Sequence, residues 1–269
     1  MKTNKKIEIT ILRPGGNDTA LIKGIIKKSL RKQINNEIMK RFPNVEQVGF
    51  YEYDKERNLA RLEMAGGEFC GNATRSVAYL VLGSKKGEVN IKVSGAKKLL
   101  KAGVKKTGTA FAQMPIFKNL ESIFELDSNL YRVDLEGITH LIMPKPNNIN
   151  KKNIKTFAKK LLNKYDLLES KPASGLMLIS SGKDLVLDPV IWVRDIQTLF
   201  YETACASGTA AVGLWQLIKN RANYFQGPII QPSKQIIYVT AEKTENNFKD
   251  AFIEGPIKIL KKAVIVYEN

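Results

Sequence analysis

The only two cysteines of the chain lie in similar local sequences. Cys70 stands in the run Glu-Phe-Cys-Gly-Asn-Ala-Thr at 68–74, and Cys205 stands in the run Glu-Thr-Ala-Cys-Ala-Ser-Gly-Thr at 202–209. In both runs the cysteine is followed by a small residue, by Asn or Ser, by another small residue and by Thr. This repetition predicts two thiols that face each other in a pseudo-symmetric fold.

A facing pair of thiols is suited to moving a proton from one side of a carbon atom to the other. The proton on the α-carbon of an amino acid is only weakly acidic, so a base must touch it and hydrogen-bond donors must stabilise the negative charge that results. One thiolate would remove the proton and the opposite thiol would supply another. The two cysteines therefore predict an amino-acid racemase.

Each cysteine directly precedes a predicted helix, at 72–82 and at 208–220. Because a helix N-terminus stabilises an anion, we expect the pKa of each thiol to lie below its ordinary value of ~8.5. The small residues after each cysteine allow backbone N–H groups to approach a ligand. Two opposed helix N-termini predict a binding site for an α-carboxylate.

Other interpretations of the cysteines remain open. They could be buried apolar residues, or they could form a regulatory disulfide. Two cysteines are too few for a zinc site, the single His140 adds little, and a structural disulfide is rare in a cytoplasmic chain. We interpret His140 as a structural residue in a strand and predict no metal ligands.

The composition limits the classes of partner. The chain has 269 residues, of which 43% are hydrophobic and 26% are charged, values typical of a soluble globular protein. No apolar run approaches the ~18 residues of a membrane helix, and the basic N-terminus does not lead into a continuous apolar signal segment. We therefore expect a cytoplasmic protein with no membrane partner.

The net charge of +17 raises nucleic acid as an alternative partner. Of the 43 basic residues 34 are lysines, whereas specific readers of bases and phosphates favour arginine. The lysines are spread along the chain and no RNA-binding motif with interleaved aromatic residues is found. We predict a solvated lysine-rich surface and no nucleic-acid partner, and a basic nucleic-acid-binding protein remains the non-enzyme alternative.

Hydrophobic alternation predicts many strands and few helices, which indicates an α/β fold. The predicted strands lie at 7–12, 47–53, 60–64, 89–94, 101–105 and 109–114 in the first half, and at 131–135, 139–143, 176–180, 185–193, 235–241 and 250–254 in the second. The predicted helices lie within 18–42 and at 72–82, 151–165 and 208–220.

The order of elements around the cysteines repeats. Each half ends on a similar run, Phe-Ala-Gln-Met-Pro at 111–115 and Phe-Ile-Glu-Gly-Pro at 252–256. The repeat predicts two similar domains, at 1–118 and 119–256, with the last strand (257–269) returning to the first domain. A cleft between two domains is a common ligand site.

These motifs resemble the diaminopimelate epimerase-like family of cofactor-independent amino-acid racemases. The resemblance spans nearly the whole chain in order and is carried by Gly16-Asn17-Asp18, by Cys70-Gly71-Asn72-Ala73 and by Cys205-Ala206-Ser207-Gly208-Thr209. It implies two pseudo-symmetric domains, each a curved, mostly antiparallel sheet wrapped around a central helix, with one catalytic cysteine per domain. It also implies a small-molecule amino-acid substrate, no cofactor and a homodimer.

Within that family the chain is more similar to the histidine racemases. The shared stretches are 46–50, 68–74, 92–95, 113–115, Glu202, and Gln231-Pro232. Two polar motifs that hold the distal end of diaminopimelate in the epimerases are absent, since Gly137-Ile138-Thr139-His140 replaces one of them. Racemases of other amino acids, of the diaminopimelate or proline type, remain an alternative.

The resemblance implies a role for each candidate residue. Cys70 and Cys205 would alternate as base and acid, and Glu46 would contact an imidazole side chain. The residues expected to bind the carboxylate and amine end are Asn17, Gly71, Asn72, Ala206, Ser207, Gly208 and Thr209.

Overall fold

The structure of the chain is a computed structural model that describes residues 4–182 and 184–268. The first three residues of the predicted first domain (1–118) and the last residue of the returning segment (257–269) therefore lie outside the described residues. Within the described ranges, no helix combines the length and the apolar character needed to span a membrane.

The described residues form four α-helices and seventeen strands. The helices are α1 (Lys28–Arg41), α2 (Gly71–Val81), α3 (Ile154–Lys164) and α4 (Ala206–Lys219). The strands of the first half are β1 (Asn4–Pro14), β2 (Asp18–Lys23), β3 (Val45–Asp54), β4 (Leu59–Met64), β5 (Gly87–Val93), β6 (Leu100–Val104) and β7 (Ala110–Gln113). The remaining strands are β8 (Ile123–Asp127), β9 (Leu130–Leu135), β10 (Ile138–Pro144), β11 (Ala173–Ser181), β12 (Leu185–Val193), β13 (Thr198–Tyr201), β14 (Tyr224–Ile230), β15 (Ile236–Lys243), β16 (Phe248–Gly255) and β17 (Ile257–Glu268).

All these strands belong to one hydrogen-bonded sheet that is mostly antiparallel. The described parallel pairs are β2–β3, β4–β5, β10–β11 and β12–β14. Strand β7 pairs with β16 and so joins the two halves of the chain, while β17 pairs with β1 along its whole length. The prediction of an α/β fold with a mostly antiparallel sheet is confirmed.

Two helices lie inside this curved sheet. Helix α2 packs against β1 to β7, and α4 packs against β9, β10, β11, β14, β15 and β16. Every residue of α2 from Gly71 to Ala78 is buried, as is every residue of α4 from Ala206 to Leu217. A helix that is buried on all sides must form part of a core rather than a surface layer, so the sheet holds the start of each helix in a fixed place.

The predicted helices at 72–82 and 208–220 agree with α2 and α4 within two residues. The helix predicted within 18–42 is α1 (Lys28–Arg41), and the first residues of that range, Asp18–Lys23, form β2. This strand is hydrogen-bonded to β1 and β3 on its two sides, and its first five residues are buried. Apolar residues in a strand that is covered on both faces do not alternate with polar ones, and this removes the period of two from the sequence.

The segment before Cys70 is supported by close backbone contacts. A Cβ atom added to Gly95 would lie 2.6 Å from the backbone nitrogen of Phe69, and one added to Gly137 would lie 2.7 Å from the Cα of Gly95. The hydroxyl of Ser94 donates to the carbonyl of Glu68 at 2.7 Å. The shared stretch 92–95 therefore acts as a support for the loop that carries the first cysteine.

Replacing Gly95 with alanine should destabilise the protein more than replacing Gly108. Both glycines have a positive φ, 76° and 81°, which makes each substitution unfavourable by roughly 1–2 kcal/mol. The added methyl group at Gly95 also collides with backbone, whereas nothing lies within 4 Å at Gly108. We expect a further loss of about 1–3 kcal/mol for Gly95→Ala, measured by urea unfolding. Equal losses for the two variants would contradict the supporting role of Gly95.

Candidate active site

Each cysteine caps the helix that follows it, in nearly identical geometry. Cys70 has φ −133° and ψ 109°, and its sulfur accepts the backbone N–H of Ala73 at 3.3 Å. Cys205 has φ −124° and ψ 109°, and its sulfur accepts the N–H of Gly208 at 3.3 Å. A side chain that accepts this hydrogen bond satisfies one of the free donors of the first helical turn. Both thiols are therefore fixed at the starts of α2 and α4.

The threonine four residues after each cysteine reinforces the same turn. The hydroxyls of Thr74 and Thr209 donate to the carbonyls of Cys70 and Cys205, each at 2.7 Å. Thr209 also accepts a hydrogen bond from the Nε2 of Gln231 at 3.0 Å. Thr209 was predicted to bind the ligand, but its hydroxyl is buried and engaged with the protein.

The two helix N-termini are in direct contact. A Cβ atom added to Gly71, the first residue of α2, would lie 3.0 Å from the Cβ of Ala206, the first residue of α4. The Nδ2 of Asn72 crosses between the halves and donates to the carbonyl of Ala204 at 2.9 Å. Glycine at position 71 thus allows the close approach of the two helices, and a larger residue would press against Ala206.

A buried arginine holds Asn72 in this position. The Nη2 of Arg75 donates to the Oδ1 of Asn72 at 2.9 Å, so both polar atoms of the Asn72 side chain are engaged. Burial lowers the pKa of Arg75 to about 10, and the nearby Cys70 opposes this effect. In α4 the residue at the same distance from its cysteine is Ala210, so only one of the two helix starts has a buried cation.

Both cysteines line one narrow cavity, with a free volume of about 30 Å³. Five other predicted site residues line it too, namely Glu46, Gly71, Asn72, Ala206 and Ser207. The other described lining residues are Gln47, Val48, Ala65, Glu68, Phe69, Ile138, Ile191, Val193, Ile196, Thr198, Phe200 and Glu202. Asn17, Gly208 and Thr209 are adjacent but do not belong to this lining. The structure therefore brings together most of the residues that the sequence predicted.

A chain of hydrogen bonds runs from the Cys70 thiol to Glu202, which lies near Cys205. The Cys70 thiol donates to the Oε1 of Gln47 at 2.8 Å, and the Nε2 of Gln47 donates to the Oε1 of Glu202 at 2.9 Å. The Oε2 of Glu202 has no hydrogen-bond partner among the described residues, and the charge of Glu202 raises the pKa of the Cys205 thiol. Gln47 and Glu202 were not among the predicted site residues, although both lie in stretches shared with the histidine racemases.

The carboxylate of Glu46 is held by donors from both halves of the chain. Its Oε2 accepts from the Nδ2 of Asn17 at 2.6 Å, and its Oε1 accepts from the hydroxyl of Thr203 at 2.7 Å. The backbone N–H of Thr203 lies 3.1 and 3.2 Å from the two oxygens. Asn17 is fully buried and therefore acts on the cavity through Glu46.

Three carboxyl groups surround the cavity, and burial raises the pKa of each. The pKa is raised to about 7 for Glu46, to about 7 for Glu68 and to about 8 for Glu202. Repulsion from Glu46 and Glu68 adds to the effect of burial on Glu202. No Lys, Arg or His occurs among the described residues that line the cavity, so the cavity favours a ligand that carries positive charge or N–H donors.

The expectation that the helix starts lower the pKa of the two thiols is wrong. Burial raises the pKa of both Cys70 and Cys205 far above the ordinary value, and the nearby Glu202 raises it further. The N–H groups of the helix starts act in the opposite direction but are weaker than the desolvation of a buried thiolate. Both thiols are therefore protonated at neutral pH until a ligand changes their surroundings.

Comparisons with known proteins point to one family. Residues 6–265 match the family model described as "Histidine racemase CntK N-terminal domain". The chain is 34% identical over 269 residues to an enzyme named histidine racemase from Fusobacterium nucleatum subsp. nucleatum, with 94% of each chain covered.

Solved structures share the fold at low sequence identity. A hydroxyproline epimerase from Agrobacterium vitis with bound trans-4-hydroxy-L-proline superposes with a TM-score of 0.66 at 12% identity, covering 100% of this chain and 95% of that one. A phenazine biosynthesis protein of the PhzF family from Enterococcus faecalis gives a TM-score of 0.57 at 12% identity, covering 97% and 99%. At this identity the likeness establishes the fold alone.

The raised pKa values predict thiols that alkylate slowly. At pH 7 we expect iodoacetamide to modify Cys70 and Cys205 of the native protein more than about tenfold slower than free cysteine, because each unit of pKa removes nine-tenths of the thiolate. The rate should keep rising above about pH 8.5, where the thiolate of free cysteine is already half formed. Protein unfolded in guanidinium should react like free cysteine. Rapid native-state alkylation at pH 7, followed by mass spectrometry, would contradict the protonated assignment.

Stability should fall as the pH rises through the raised pKa of Glu202. In the unfolded chain this carboxyl titrates near 4.5, and in the folded state near 8. The folded state binds the proton of Glu202 more tightly than the unfolded chain does. The contribution of Glu202 to the free energy of unfolding is therefore complete below the pKa of the unfolded chain, and it is lost as the pH rises through the pKa of the folded state. We expect the Tm to decrease between about pH 5 and pH 8.5, and to decrease less in Glu202→Gln. The exposed Glu88→Gln should keep the wild-type slope; a wild-type slope in Glu202→Gln would refute the assignment.

Proposed function

The chain belongs to the histidine racemase family, and on this basis we propose that it interconverts L- and D-histidine in the cavity between Cys70 and Cys205. The protein is an enzyme of the isomerase class. The observation that carries the proposal is the geometry of the two cysteines, which cap touching helices and line one cavity together. The three carboxyl groups of the cavity suit an amino acid that has an ammonium group and an imidazole.

The proposed mechanism uses the two thiols as a pair of bases. The thiolate of one cysteine takes the α-proton, so the Cα–H bond breaks and its electron pair is delocalised toward the substrate carboxylate. The thiol of the other cysteine then donates its proton to the opposite face of the same carbon, and its S–H bond breaks. At the end the first cysteine is a thiol that carries the proton removed from the substrate, and the second cysteine is a thiolate.

The substrate itself helps to form the thiolate. An ammonium group brought beside a buried thiol lowers the pKa of that thiol, because an opposite charge nearby favours the charged form. The proton that the thiol then loses passes to the carboxylate of Glu202, which lies near both cysteines and has an unpaired oxygen. The acidic cavity thus keeps its thiols protonated when it is without substrate and becomes more reactive once a cationic amino acid is bound. Because a thiolate would form only after the substrate has bound, it would be protected from solvent and from oxidation.

We assign the α-carboxylate of the substrate to the starts of α2 and α4. Gly71, Asn72, Ala206 and Ser207 supply backbone N–H groups at these positions, next to both sulfurs. Helix N-termini are favourable sites for anions. Gly208 and Thr209 support this arrangement by holding Cys205, and Asn17 and Glu46 support it from the opposite side of the cavity.

We propose further that the fold is a diaminopimelate epimerase-like pair of pseudo-symmetric domains, 1–118 with 257–269, and 119–256. Three observations support this division: β17 pairs with β1, each central helix is enclosed mainly by strands of its own half, and the two cysteines have matching cap geometry. The free volume of about 30 Å³ holds only one or two water molecules, and we propose that the two domains separate at the cavity when histidine binds.

The proposal also covers the cofactor, the assembly and the partners of the protein. Both bases come from the chain, so the chemistry that we propose needs no cofactor. We also propose a homodimer in the cytoplasm with no nucleic-acid partner, since the positive charge consists mainly of dispersed lysines and the cavity is acidic.

Substitution of either cysteine should remove racemisation. We expect Cys70→Ser and Cys205→Ser each to lower kcat by about 10²- to 10⁴-fold, because a serine hydroxyl is a far weaker acid than a thiol and general acid–base catalysis contributes about this much. Chiral chromatography of L-histidine incubated with reduced enzyme and no added cofactor measures the effect. A single variant that retained wild-type turnover would refute the two-base scheme.

The isotope content of the product distinguishes two bases from one. In deuterated water, D-histidine formed early from L-histidine should carry deuterium at the α-carbon while the remaining L-histidine keeps protium, since the proton removed and the proton delivered come from different thiols. Transfer of the original proton to the product would indicate a single base. L-proline and diaminopimelate in parallel reactions test the alternative substrates, and faster exchange with either one would overturn the assignment to histidine.

A further inference from the structure

Glu68 has a buried carboxylate oxygen with no partner. The residue lies two positions before Cys70, is 7% exposed and lines the cavity. No residue within 4–182 or 184–268 donates a hydrogen bond to its Oε2. An unpaired buried carboxylate oxygen is unfavourable, and because Glu68 lines the cavity, a ligand with an N–H group can supply the missing donor.

The unpaired oxygen lies at an apolar wall of the cavity. A Cβ atom added to Gly66 would lie 2.6 Å from the Oε2 of Glu68, 2.4 Å from Val193 and 3.5 Å from Ile196. Val193 and Ile196 both line the cavity beside Glu68. A flat ring with an N–H group on its edge matches this combination, since its face can pack on the aliphatic side chains while its edge donates to the carboxylate.

The other two carboxyl groups of the cavity have hydrogen-bond partners within the protein. Glu46 already accepts from Asn17 and Thr203. Glu202 accepts from Gln47 through its Oε1, and its Oε2 is unpaired. This carboxyl group lies close enough to Cys205 for its charge to raise the pKa of that reacting thiol. That position suits the ammonium group on the α-carbon, and it leaves Glu68 as the free acceptor for the side chain.

We propose that Glu68 is the residue that selects the side chain, by accepting the N–H of the imidazole while Val193 and Ile196 pack against the ring. This assignment rests on the proposed racemisation of histidine and replaces Glu46 as the direct contact of the imidazole. A substrate without an N–H on its side chain leaves the buried oxygen unpaired, and sites of this kind discriminate strongly against such analogues.

The test compares histidine with an analogue of the same shape that lacks the N–H group. β-(2-Thienyl)-L-alanine has a five-membered aromatic ring with no N–H donor. For the wild type we expect kcat/KM for α-hydrogen exchange in deuterated water to favour histidine by at least about 100-fold. In Glu68→Leu the ratio should fall to below about tenfold, through a loss with histidine and a gain with the analogue.

Matched variants show whether a changed substrate preference comes from the lost contact with Glu68 or from a folding defect. Glu88→Gln, on an exposed carboxyl, should keep the wild-type ratio. Glu68→Gln keeps the shape and should raise the KM for histidine by about tenfold or more, with a smaller change in kcat, because a hydrogen bond to a charged group is lost. If Glu68→Leu fails to fold, judged by circular dichroism, Gly66→Ala displaces the Oε2 of Glu68 sterically and should also raise the KM for histidine.

The outcomes distinguish this inference from the proposed function. Exchange of histidine by the wild type, together with an unchanged ratio in Glu68→Leu and an unchanged KM in Glu68→Gln and Gly66→Ala, would overturn the role of Glu68 alone. Absence of histidine exchange by the wild type would overturn the proposed function and this inference with it.

Discussion

The arrangement of the site depends on one constraint, the contact between the N-termini of two buried helices. Each helix begins at a cysteine whose sulfur accepts a hydrogen bond from the first turn, so fixing the helix fixes the thiol. The absence of a side chain at Gly71 lets the two helix starts meet at Ala206. The curved sheet around α2 and α4 and the support of the Cys70 loop by Gly95 serve to hold this contact.

The cavity is acidic, although the chain as a whole is strongly basic. The chain has a net charge of +17, yet its cavity is lined by three carboxyl groups and two thiols. Burial is the dominant influence, because removing a thiolate or a carboxylate from water is more unfavourable than a few N–H groups can offset. In the proposed scheme the positive charge that the site lacks arrives with the ammonium group of the substrate, which would couple substrate binding to formation of the thiolate.

Local sequence predicted the local part of this structure well. The positions of the cysteines at helix starts, the helices that follow them and the α/β class are determined by short stretches of sequence. The residues that indicate each of these features are the residues that form it. The contacts across the cavity could not be read this way. Gln47 meets Glu202 across 155 positions and Asn72 meets Ala204 across 132, and such pairs depend on how the sheet closes. For the same reason the pKa of the thiols was predicted in the wrong direction, since the depth of burial is a property of the whole fold.

The buried cation on one helix gives the two thiols unequal surroundings. Arg75 lies near Cys70, whereas Ala210 takes the corresponding place after Cys205. In the proposed scheme the two enantiomers are therefore deprotonated by thiols of different acidity. Mirror-image molecules have equal free energies in water, so the Haldane relation forces kcat/KM to be the same in both directions. Any difference in kcat that the unequal thiols cause between the two directions must therefore be matched by the same ratio of KM values, so that the enantiomer with the higher kcat also has the higher KM.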